Sequence, residues 1–136
     1  MGKWKICLIV VLGLATLVCA GTPKELQPTN TWQGSVEDWE LAKKVPKVIT
    51  NARDFDKLIK TWNVRAKVKD VNFEKELVLV AITQGSQMSV TARLNDHGEL
   101  TLSVLTTDDL APGFRYVVIS VPREGVKSVN GKELPK

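Results

Sequence analysis

A chain of 136 residues with 19 basic and 15 acidic side chains, net charge +4, fits one domain. So mild a positive excess argues against nucleic acid as a partner. A single histidine and two cysteines leave little material for a His-built metal centre or a disulfide framework.

In chain order, Met1–Lys5 carries Lys3 and Lys5, Ile6–Val18 is an almost unbroken apolar run, and Val18-Cys19-Ala20 supplies small residues. That layout predicts a secretory signal peptide over 1–20, cut between Ala20 and Gly21. The apolar run falls short of the roughly 20 residues that a transmembrane helix needs. The chain is therefore expected to be exported, to a periplasmic or extracellular location. The alternative reading lipidates Cys19 and anchors the protein to the cell envelope, which is the only membrane contact the sequence predicts. Cys7 and Cys19 both lie within the signal, so the processed chain carries no thiol. Loss of Lys3 and Lys5 leaves 17 basic against 15 acidic residues, a net charge of +2. The remaining domain buries about 65% of its unfolded surface, enough for a core without staples.

Residues 21–44 read as a leader followed by an irregular segment. Pro23, Pro28 and the polar residues around them show no period, and Trp32, Val36, Trp39 and Leu41 are scattered among charges. The folded domain is predicted over 45–136, opening with an edge strand at Val45–Ile49, since Pro46 bars a central position. Asn51 can cap a helix over 52–63, whose Phe55, Leu58, Ile59 and Trp62 share one face. Early acids (Asp54, Asp56) and later lysines (Lys57, Lys60) suit the helix dipole.

Beyond the helix the period becomes two. Arg65, Lys67 and Lys69 alternate with Ala66 and Val68, on one strand face or in an extended link. Leu77–Ile82 is apolar throughout, as a central strand covered on both faces would be. Met88–Leu94 and Leu100–Val104 alternate about the turn Asn95-Asp96-His97-Gly98. Thr106–Gly113 is a longer loop, Phe114–Val121 a last long strand, and Asn130-Gly131 a tight turn. These elements predict a β-rich α+β fold, with a curled antiparallel sheet of about five strands packed on a single α-helix.

Residues able to carry chemistry are few. His97 sits at a hairpin tip as a solvated turn residue, with no companion ligands for a metal and no Gly-x-Ser-x-Gly elbow to serve. Asp108-Asp109 lacks the twelve-residue spacing of a calcium loop. The sequence thus predicts no catalytic residues, no metal and no cofactor, and a chain that is not an enzyme. Candidate partner contacts are Trp32 and Trp39, as interface anchors, together with the basic residues Arg65, Lys67 and Lys69. Packing against the sheet, and protection of a sheet edge by charge, are the plainer readings of the same residues. Trp62, on the apolar helix face, reads as core.

Three stretches resemble the C-terminal domain of PrcB, a subunit that stabilises an exported bacterial protease complex. They are Phe55-Asp56-Lys57-Leu58-Ile59-Lys60-Thr61-Trp62, Val71-Asn72-Phe73 leading into Leu77–Ile82, and Gly113-Phe114-Arg115-Tyr116 running on to Pro122. The resemblance spans about 45–122. It departs at Thr83-Gln84-Gly85-Ser86-Gln87-Met88, where the family has a glycine-rich turn and an aromatic residue. The resemblance implies the fold and an exported, non-catalytic protein-binding role, with an exported protease as partner. The residues alone leave a second role open, a carbohydrate- or envelope-binding module that uses Trp32 or Trp39.

Overall fold

The computed structural model describes residues 22–135. The predicted cleavage pair Ala20–Gly21 and both cysteines lie outside them. The strands in chain order are β1 (Lys24–Leu26), β2 (Asn30–Val36), β3 (Val48–Ile49), β4 (Glu76–Thr83), β5 (Met88–Leu94), β6 (Glu99–Thr106), β7 (Phe114–Pro122), β8 (Ser128–Val129) and β9 (Lys132–Glu133). One α-helix, α1 (Ala52–Thr61), lies between β3 and β4, and short 3-10 turns occupy Trp39–Ala42 and Val68–Asp70. The fold is β-rich α+β, as the sequence predicts.

The strands divide between two sheets rather than one. An inner sheet has the order β2-β7-β4-β3 and an outer sheet the order β1-β5-β6-β8-β9. Every pairing is antiparallel except the short one between Glu99–Leu100 and Ser128–Val129. Neighbouring side chains of a strand point to opposite faces, and β4 and β7 show what each face meets. Val78, Val80, Phe114, Tyr116 and Val118 join the helix residues Phe55, Leu58, Ile59 and Trp62 in one buried cluster. Leu77, Leu79, Val117, Ile119 and Val121 join Ala92, Leu100 and Val129 of the outer sheet in a second. The inner sheet is thus covered by α1 on one face and by the outer sheet on the other, which is why Leu77–Ala81 is apolar and buried at every position.

The helix begins where its capping residue predicts. Asn51 Oδ1 accepts the Asp54 N–H at 2.8 Å, the Lys60–Asp56 ion pair spans one turn at 2.8 Å, and Trp62 forms the C-cap. Val48–Ile49 is an edge strand beside β4, shorter than the predicted Val45–Ile49.

The N-terminal leader requires correction. Lys24–Leu26 pairs with β5, and the whole of Asn30–Val36 pairs with β7. Residues 24–42 are therefore integral to the fold, and the packed unit starts well before residue 45. Gly34 hides the strand pattern: it occupies an inward position between Trp32 and Val36, so the alternation shows two apolar residues where three positions face the helix layer.

The loop between β6 and β7 is pinned by Asp109. Its carboxylate accepts the Ser86 N–H at 3.0 Å and the Thr107 hydroxyl. Hydrogen bonds from the Ser86 hydroxyl, the Thr107 hydroxyl and the Ser86 N–H hold the Asp109 carboxyl well below its ordinary value of 3.8. A carboxyl whose folded value is depressed contributes stability above its unfolded value and loses it as the pH falls toward the folded one. Asp109→Asn lacks this contribution. The gap in melting temperature between wild type and variant is accordingly expected to be full at pH 6 and to shrink steadily below pH 4, as read by circular dichroism melts across that range.

Candidate functional site

Two of the predicted contact residues meet at the outer edge of β2. Val80 donates its N–H to the Lys47 carbonyl at 2.9 Å, so even residues of β4 bond toward β3 and odd ones toward β7. The antiparallel register of β4 on β7, and of β7 on β2, carries this alternation across the sheet. Trp32 and Gly34 turn their backbone groups to β7. Thr31, Gln33 and Ser35 turn theirs outward, and among the described residues β2 has no strand on that side.

A groove runs along this edge. On the helix side, a cavity of about 740 Å³ is lined by Thr31–Val36, by Thr61–Arg65 at the end of α1, and by Tyr116. On the opposite side, a cavity of about 480 Å³ is lined by Gln33, Gly34, Ser35, Ser86, Gln87, Met88, Arg115, Tyr116 and Val117. The two share Gln33, Gly34, Ser35 and Tyr116 in their linings, and a Cβ on Gly34 would come within 2.6 Å of the Tyr116 hydroxyl oxygen. Only glycine leaves the Tyr116 side chain room to lie over this strand. Partial burial raises the Tyr116 phenol above its ordinary value.

Trp32 lines this groove, half-buried, with its ring 5.4 Å from Phe55. Arg65 stands exposed at the far wall. Trp62 forms part of the floor and is 4% exposed, packed 5.1 Å from Phe114 and 5.2 Å from Tyr116, as its place on the apolar helix face predicts. Trp39 is elsewhere, half-buried and edge-on to Phe114 at 5.9 Å. Lys67 and Lys69 lie exposed in the link after α1, the extended-link alternative of the sequence reading, and neither lines the groove. The groove thus unites Trp32 with Arg65, and separates both from Trp39, Lys67 and Lys69.

The remaining wall residues, Gln33, Ser35, Tyr116, Gln87 and Arg115, were not legible as a site. They become neighbours only through the pairing of β2 with β7 and the approach of the β4–β5 turn. Arg115 stands out chemically. Its Nε is buried without a hydrogen-bond partner, as is Trp62 Nε1. The two ion pairs among the described residues, Lys43–Glu40 and Lys60–Asp56, do not involve Arg115.

Other candidates stay apart. His97 is exposed at the β5–β6 turn, where its N–H bonds Asn95 Oδ1 at 3.0 Å. Asp108 and Asp109 lie exposed in the β6–β7 loop. Among the described residues no group of three acidic, histidine or cysteine side chains is placed to hold a metal, and no helix is long and apolar enough to cross a membrane. Comparison of the chain with protein-family models, with curated proteins and with solved structures finds no match.

Proposed function

We propose that this chain is an exported, non-catalytic protein-binding domain that takes an extended segment of its partner as an added strand along β2. The observation that carries the reading is the outer edge of β2: three residues with outward backbone groups, lying in a groove with a wall on each side. An unpaired strand edge offers a ready row of donors and acceptors, and pockets on either side select alternate side chains of the segment that pairs with it. Trp32 and Tyr116 supply amphipathic surface in the groove, the kind that anchors interfaces. The signal-like sequence of 1–20 supports export, and the resemblance to the PrcB C-terminal domain supports an exported protease as the partner.

Gln33→Pro tests this. Proline removes the outward N–H of Gln33 while leaving the bonds to β7, and edge strands tolerate proline where the N–H faces solvent. The full chain is expressed with its signal and recovered from the envelope fraction by an affinity tag. Wild type is expected to hold a protease, with amide exchange at Thr31, Gln33 and Ser35 slowed in the complex, whereas Gln33→Pro folds and holds none. A Gln33→Pro protein that retains the same partner, or a complex with unprotected amides at those three residues, overturns the strand-addition reading. Mass spectrometry of the same material reads the processing site, Gly21 for soluble export or lipidated Cys19 for anchoring.

A further inference from the structure

Strand addition along β2 leaves open what chemistry the added segment carries, and any preference among segments rests on that reading. The two cavities along β2 answer in part. Neither is lined by an acidic residue among those described, and each is lined by one arginine, Arg65 on the helix side and Arg115 on the other. Arg115 is the more constrained of the two, half-buried in β7 with Nε buried and unpartnered. A buried donor left without a partner is costly, more so in a charged group, and this guanidinium has no ion-pair partner among the described residues, so the cavity it lines favours an incoming anion. The acid that touches this wall, Asp109, is bound to Ser86 and Thr107 and does not line the cavity.

Register decides where such an anion would stand. Arg115 lies opposite Ser35, and its odd-numbered neighbours Val117, Ile119 and Val121 point to the face away from α1. Gln33 and Ser35 project to that same face, since Trp32 and Val36 pack on the helix side. A residue of an added strand directly opposite Ser35 would project there too. It would stand two strand spacings, about 10 Å, from the Arg115 backbone, a gap that a glutamate and an arginine close by lying toward each other across Ser35. Its two neighbours would project over Trp32, Gly34 and Tyr116, where apolar side chains fit.

We propose that the Arg115 cavity receives a carboxylate from the partner strand, so that the segment recognised along β2 is acidic, with a glutamate opposite Ser35 and apolar residues on either side of it. Gln87 and the Ser86 hydroxyl line the same cavity and can complete the hydrogen bonding of the carboxylate.

The test uses the full chain and fluorescently labelled heptapeptides with a central glutamate, glutamine or lysine flanked by valines. Binding is read by fluorescence anisotropy at low and at 0.5 M salt. The glutamate peptide is expected to bind about tenfold more tightly than the lysine peptide, in line with a charge-assisted pair, and to lose that preference at high salt. Arg115→Gln is expected to bind all three peptides alike, and Arg115→Lys to keep part of the preference, which guards against a fold defect in the glutamine variant. Equal binding of the three peptides to wild type, with amides of Thr31, Gln33 and Ser35 protected, overturns the acidic specificity and leaves strand addition standing. An acidic preference that survives in both Arg115 variants also overturns it. No binding by any peptide, or binding that Gln33→Pro does not change, overturns the strand reading and the specificity together.

Discussion

Phe114→Ala is expected to lower the free energy of unfolding by about 3–5 kcal/mol, the range for removing a fully buried aromatic ring. Phe114 is 1% exposed and touches two indoles, Trp39 and Trp62. It opens β7, the strand that hydrogen-bonds both β2 and β4, and its side chain lies under the helix layer. Its removal leaves a hole between rigid rings that cannot collapse to fill it, so the transfer and cavity costs add. A domain of this size has only about 5–15 kcal/mol of stability in all. Urea denaturation followed by tryptophan emission should show the midpoint fall with little change in slope. A loss below about 1 kcal/mol would mean that the two indoles close over the gap.

The second large effect is expected at Gly113, the residue before β7. Its φ is +69°, and a Cβ there would overlap the Val36 carbonyl oxygen and come within 2.7 Å of Glu37 Cα. The left-handed backbone alone costs an alanine about 1–2 kcal/mol. The overlap adds more, because the obstacle is backbone at the end of β2 and not the tip of a flexible side chain. Gly113→Ala should therefore destabilise by more than about 2 kcal/mol in thermal melts. It should also loosen the Val36 end of β2, visible as faster amide exchange at Gly34 and Val36 than at Thr91 and Arg93 in the outer sheet. Uniform exchange changes across both sheets would assign the effect to global stability alone.

The sequence carries the regular part of this fold well. The α1 stripe of Phe55, Leu58, Ile59 and Trp62, its Asn51 cap, the unbroken apolar run in β4 and the turns at Asn95–Gly98 and Asn130-Gly131 are local signals, and each has its counterpart in the structure. The splitting of the strands into two sheets was not legible, because it depends on long-range pairing. Nor was the role of residues 24–36: Gly34 interrupts one alternation, and β1 shows only Leu26 as an apolar residue. The candidate site inherits the same limit. Trp32 and Arg65 could be named from residue type, but Arg115 reads in sequence as one charge in an apolar strand, and only the register with Ser35 gives it a neighbourhood.

The position of β7 has a consequence for when the chain can fold. Its two inner-sheet partners are β2 and β4, so the Trp32 strand has no partner in its sheet, and the central apolar strand has only the short β3, until Phe114–Pro122 exists. The pairing of β2 with β7 joins Asn30 to Ser120 and Val36 to Phe114, and such long-range pairing forms slowly because its loop-closure entropy must be met first. A nascent chain that ends before Phe114 would leave β2 unpaired and β4 matched only by β3. The architecture that makes the finished domain cohesive thus keeps the unfinished one loose until its last long strand is made.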